Sequence, residues 1–165
     1  MRTLYASDRS RASEHAIFAW RELTIPAERV ATHVQRAAEN VAGRLSLIAP
    51  APLGRSTAMP IELGLHPSHE RANWRIELRV LTDGERFSFF DGEIRIHGLP
   101  HQRSQVLLLG RFSIPHELYA HVAENVMHDI AEDNVIRAFE TLLLEVESAA
   151  AAPADLLGHP HRRRH

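Results

Sequence analysis

The sequence contains no cysteine and no lysine, so its 19 basic side chains other than histidine are all arginine. Without cysteine there is no disulfide, no thiolate nucleophile, no iron–sulfur cluster and no cysteine-bound zinc. Without lysine there is no Schiff base, no pyridoxal phosphate anchor and no P-loop lysine. Long hydrophobic runs are lacking too: no window approaches the ~18 apolar residues of a membrane span. The opening stretch, MRTLYASDRSRASEH, carries charge but no apolar core, so no secretory signal is expected in it. The default expectation is a cytoplasmic protein. Positive charge is clustered only in Arg162–Arg164, and the net charge is −2, so no nucleic-acid partner is expected.

What is present is ordinary globular material. A hydrophobic fraction of 44% with 24% charged residues excludes global disorder, and 165 residues suit one domain with a sizeable core. Residues 1–13 are polar and unpatterned and read as a flexible arm. In HAIFAWRELTI (15–25), Ile17, Ala19, Leu23 and Ile25 share one face and Phe18 and Trp20 the other, which predicts a strand covered on both sides. Pro26 opens a helix on which Val30, Val34, Ala37, Ala38 and Val41 recur, and Gly43 stops it. A short strand at 44–50 leads to a proline- and glycine-punctuated loop, APLGRSTAMP, followed by a strand over 61–66.

The clearest alternation lies in 74–82, where Trp74, Ile76, Leu78 and Val80 interleave with Arg75, Glu77 and Arg79. Asp83-Gly84 signals a hairpin. The run 86–99 is read as one long strand with a bulge at Asp91-Gly92. A turn at 100–103 leads to a strand over 104–114. The period then changes. Apolar residues at 118, 122, 126, 130, 135, 139, 142 and 146 predict a long helix, with Glu124, Asp129, Glu132 and Asp133 on its solvent side. From 149 to 165 the chain is low-complexity and is expected to be disordered. The expected class is therefore α+β in β-α-β(n)-α order, with residues 14–148 as the domain. A curved antiparallel sheet of about six to seven strands would bury its apolar face against the C-terminal helix.

Three segments, FSFFDGEIRIHGL, QVLLLGRFSIP and HVAENVMHDIAEDNVIRAFETLL, together with the element order, resemble the START-like helix-grip superfamily. That group includes polyketide cyclases and aromatases, lipid-transfer domains and plant allergens. The likeness spans roughly 14–147. It is carried by Phe90, Gly92 and Glu93 on one strand and by Ile130, Ala131, Glu132, Val135 and Phe139 on the helix. It implies a deep, mostly apolar cavity between sheet and helix. No residue matches the catalytic groups of the superfamily's enzymes.

Spacing disposes of most alternatives. His116-Glu117 and His121 fail as a zincin motif, because histidines five apart point about 140° from each other on a helix. Glu124, His128 and Glu132, four apart, could present three metal ligands, but read first as a solvated charged face. His66 and His69 lack a third partner, and His159, His161 and His165 lie in the expected flexible tail. Neither Ser56 nor Ser104 sits in a nucleophile elbow. His97, Glu93 and Arg95 share a strand face opposite Ile94 and Ile96, so the charged trio is expected in water. Trp20, Trp74, Phe87, Phe89, Phe90 and Phe112 are either core or ligand lining.

The expectation is a binder of a small, largely apolar molecule, lipid-like or polycyclic, with no cofactor, no metal and no assigned catalytic residue. Its lining is drawn from the apolar stripes: Ile76, Leu78, Ile94, Ile96, Leu108, Phe112, Val126 and Ile130. The alternatives are an acid–base cyclase or isomerase using an inward histidine or carboxylate, or a non-catalytic homodimer. Solution mass and the titratable groups near the cavity discriminate among the three.

Overall fold

The computed structural model describes residues 2–3, 14–51, 55–70, 72–82, 85–113 and 124–151. A two-residue edge strand, β1 (Arg2–Thr3), pairs with β2 (Glu14–Leu23). On β2, Ile17, Ala19 and Leu23 are buried while Phe18 and Trp20 are half-buried, the two-sided pattern expected of this segment. Helix α1 (Ala27–Val41) follows Pro26, whose ring already holds φ at −63° and whose carbonyl accepts the Arg29 and Val30 N–H groups at 3.0 and 3.1 Å. Past its last residue the chain turns away at Gly43, with φ +82°, a conformation that costs glycine little.

The next two strands differ from expectation. Strand β3 (Ser46–Ala51) and β4 (Arg55–Pro67) form a hairpin, so the segment 55–60, expected in a loop, is paired from Ala51↔Arg55 to Ser46↔Pro60. Proline is tolerated because β4 meets its other neighbour only from Ile61 onwards. At Pro60 one side of the strand is unpaired, and a missing N–H breaks no ladder there.

Strands β5 (Asn73–Thr82), β6 (Glu85–Leu99) and β7 (Arg103–Ser113) complete a meander. Strand β6 is continuous, as expected, but its irregularity lies elsewhere. Leu78 faces Phe90 and Arg79 faces Ser88, so the extra residue is Phe89 and not Asp91-Gly92. The bulge resets the alternation, and both Phe89 and Phe90 are buried. Gly92 stays in the ladder opposite Gly110 because the Phe90 ring lies across both. A Cβ at Gly110 would stand 2.5 Å from that ring, and one at Gly92 only 2.4 Å from the Leu109 carbonyl oxygen.

The sheet order is β1-β2-β7-β6-β5-β4-β3, antiparallel throughout. Six long strands form a curved half-barrel with β1 as a short seventh at its edge. Helix α2 (Glu124–Ala151) crosses the concave side, burying Val135, Ala138, Phe139, Leu142, Leu143 and Val146. The segment 118–123, expected to open this helix, lies outside the described residues, as does 152–165. Arg21 on β2 reaches Glu147 at 2.8 Å, and Arg29 donates to the Ala150 carbonyl at 2.6 Å. That arginine places a cation at the C-terminal end of α2, where its own last turn has none. No described helix is long and apolar enough to cross a membrane.

Candidate functional site

The C-terminal half of α2 sets the phase of its buried face. At about 100° per residue, the line through Val146, Leu142, Phe139 and Val135 projects back onto Glu132 and His128. These two polar side chains, and not Val126 or Ile130, occupy the sheet-facing line; Val126 and Ile130 sit about 160° from His128 around the axis. Accordingly Val126 is 43% exposed and Ile130 half-buried. The other six expected lining residues, Ile76, Leu78, Ile94, Ile96, Leu108 and Phe112, are all buried, with Ile94 directly opposite Leu108.

Around His128 the sheet supplies rings. His15 and Phe112 face each other across the β2–β7 ladder, stacked at 5.2 Å between ring centres. The His128 imidazole meets His15 edge-on at 4.2 Å and Phe112 at 5.2 Å. One helical turn further, Glu132 is only 8% exposed. Its Oε2 lies 3.4 Å from His128 Nε2, long for a hydrogen bond, and its Oε1 has no partner. The expectation that Glu132 faces solvent is therefore corrected, and with it the solvated-face reading at His128 and Glu132. The helix line that meets the sheet carries His128 and Glu132 ahead of Val135, so counting apolar residues misplaces it.

Two further buried polar groups have different standing. Asn134 is accounted for: Oδ1 accepts the Ile48 N–H of edge strand β3 at 3.3 Å, and Nδ2 donates to the Ile130 carbonyl at 2.7 Å. It joins helix to sheet edge and is structural. Ser104 Oγ is buried and unpartnered, opposite Leu23 and Gly98 on the sheet. Gly98 faces Ala27, so this hydroxyl belongs to the α1 end and not to the His128 cluster.

The convex face carries the charged residues. Arg95 pairs with Glu93 at 2.9 Å and His97 is exposed, so the trio on that strand faces water as expected. Arg75 donates twice to Asp91, at 3.1 and 2.9 Å. The Arg79 guanidinium, donating at 2.6 Å, holds the Glu77 carboxyl below the usual range. An open groove of about 980 Å3 runs between Glu70, Arg75, Asp91, Glu93, Arg95 and Arg111. Among the described residues no three metal-ligating side chains converge.

His15 and Asn134 were not singled out in the sequence. No local signal marks His15, since its role comes from register with Phe112. For Glu132 and His128 a signal exists, namely the phase of the strongest apolar turns, 135–146, extended backwards.

No protein-family model matches the sequence, and no curated protein does either. Solved structures do. A conserved protein from Geobacillus kaustophilus superposes with a TM-score of 0.54 at 8% identity, covering 82% of this chain and 96% of its own. Protein Ms6760 from Mycobacterium smegmatis gives 0.50 at 12% identity, over 90% and 96%. A START superfamily protein from the same organism gives 0.47 at 12%, over 82% and 97%. Likeness at such identities is one of fold. The chain shares with the first two a helix-grip fold, in which a sheet curves around a C-terminal helix.

Proposed function

We propose that this domain binds a small, largely apolar molecule between the concave sheet face and α2, with His128 and Glu132 fixing its one polar group. The observation that carries this reading is the buried Glu132 Oε1 without a donor. A carboxylate oxygen taken from water and left unpaired is costly, and a ligand that supplies the missing donor removes that cost on binding. Ile76, Leu78, Ile94, Ile96, Leu108 and Phe112 would supply the apolar wall. Each 100 Å2 of apolar surface covered adds about 2.5 kcal/mol to the gross interaction. The flat rings of His15, Phe112 and His128 suit a planar portion of the ligand.

The test combines native mass spectrometry of the purified full chain with a fluorescence titration of the neutral probe Nile red. A co-purified small molecule, or saturable one-to-one uptake of the probe, is expected. Absence of both refutes the reading.

A further inference from the structure

The half-barrel ends at β3, and an end strand is the part of a sheet most prone to pair with another chain. Which groups β3 offers follows from its register with β4. The Ile61 N–H donates to the Leu45 carbonyl at 3.0 Å, and the same register continues through Ser46↔Pro60 and Leu47↔Met59. Hydrogen-bonded and unbonded pairs alternate along an antiparallel ladder. Leu47, Ala49 and Ala51 therefore turn their N–H and C=O groups to β4, and Ser46, Ile48 and Pro50 turn theirs away. Two of these three outward positions offer no donor to a further strand. Pro50 has no N–H. The Ile48 N–H donates to Asn134 Oδ1 at 3.3 Å, so a side chain of α2 stands where a partner strand's carbonyl would come. Asn134 is only 4% exposed, and its Nδ2, donating to the Ile130 carbonyl at 2.7 Å, fixes the amide in that place.

We propose that Asn134 is a lock on this edge, and that the edge it closes is a latent pairing surface for a second copy of the chain. The occupant follows from the symmetry of the edge. Two antiparallel β3 strands related by a two-fold axis at Ile48 set each Ile48 opposite its counterpart and Ser46 opposite Pro50. The two Ile48 residues then exchange both of their N–H···O=C bonds, and each Ser46 N–H meets a Pro50 carbonyl across the axis. The Ile48 side chain, 41% exposed, gains its own counterpart as a neighbour, a β-branched pair of the kind that stabilises sheets. The contact uses the same patch on both copies, so it closes at a dimer and does not propagate. Its central pair is the one whose donor Asn134 holds. A single side-chain amide thus decides whether the sheet ends at β3 or continues into a second molecule. Nothing in this depends on the ligand reading above.

Light scattering on the full chain over a series of protein concentrations tests the lock. The parent and Ile48→Pro are each expected to keep one mass throughout. Asn134→Ala should rise with concentration towards twice that mass, and hydrogen exchange at its Ile48 amide should slow over the same range. The double variant Asn134→Ala/Ile48→Pro separates edge pairing from a general loosening of α2. Residue 48 turns its N–H away from β4, so proline there breaks no ladder bond and removes only the donor that pairing needs. The double variant should return to the parent's mass. Precipitation of Asn134→Ala that Ile48→Pro cures supports the lock equally. An Asn134→Ala chain that stays soluble at the parent's mass overturns the proposal. So does a rise in mass, or a loss of soluble protein, that persists in the double variant. A parent dimer that Ile48→Pro dissociates overturns it too, because the edge then pairs with Asn134 in place.

Discussion

Two side-chain oxygens, Ser104 Oγ and Glu132 Oε1, are buried without partners, and they lead to opposite expectations. Ser104 lies at the α1 end of the sheet, between Leu23 and Gly98, with Ala27 of α1 over Gly98. Removing an unpaired hydroxyl removes its desolvation penalty, of about 1–3 kcal/mol, at the expense of a void smaller than a methyl group. Ser104→Ala should therefore leave stability unchanged or raise it by about 1 kcal/mol. The urea midpoint measures this, and a loss of that size would mean that the hydroxyl is hydrogen-bonded in solution. Glu132 is the contrasting case, because its partner is His128, whose imidazole packs against the His15 and Phe112 rings.

At the level of elements, the crossing of α1 and α2 is held by a small charged cluster. Glu145 accepts from Arg44 at 2.7 Å and from Asn40 at 3.0 Å. The Arg44 guanidinium first, and then the Asn40 amide, hold its carboxyl below the ordinary value. A carboxyl lowered on folding contributes stability above the unfolded glutamate value, about 4.3, and that contribution disappears as pH falls through the lowered one. The parent chain should thus lose more of its urea midpoint between pH 7 and pH 3 than Glu145→Gln does. Equal losses would show that the cluster adds nothing to acid sensitivity. The same elements show what was legible. Strands 74–82 and 104–113 and helix 27–41 are plain in the alternation because each is amphipathic by itself. Residues 55–60 are not, since proline and small polar residues look like a loop until an edge partner is known. Along α2, steps of four residues drift about 40° each, so a stripe begun at Leu118 leads to Val126 and Ile130. The line that meets the sheet runs through His128 and Glu132.

For the molecule as a whole, element order together with the segments 87–99, 105–115 and 121–143 was enough to place the fold, because a meander followed by one long helix has few ways to close. The ring cluster was not accessible in that way. It joins His15, Phe112 and His128, residues from three distant parts of the chain, and only the β2–β7 register sets them side by side. That register has a further consequence, in time. Strands β3 to β7 are sequential neighbours, each joined to the next by a short connection, whereas β2 pairs with the last strand of the sheet. Closing so long a loop is entropically costly before any contact rewards it, so the meander should form first and β2 should join late. Ile94→Val, within the meander, should slow refolding in stopped-flow measurements, and Ile17→Val on β2 should chiefly speed unfolding. The reverse assignment would place β2 in the folding nucleus. During synthesis β2 emerges from the ribosome well before the strand it needs. Its apolar side, Ile17, Ala19 and Leu23, then waits uncovered, and the aggregation risk of the nascent chain is concentrated in that interval.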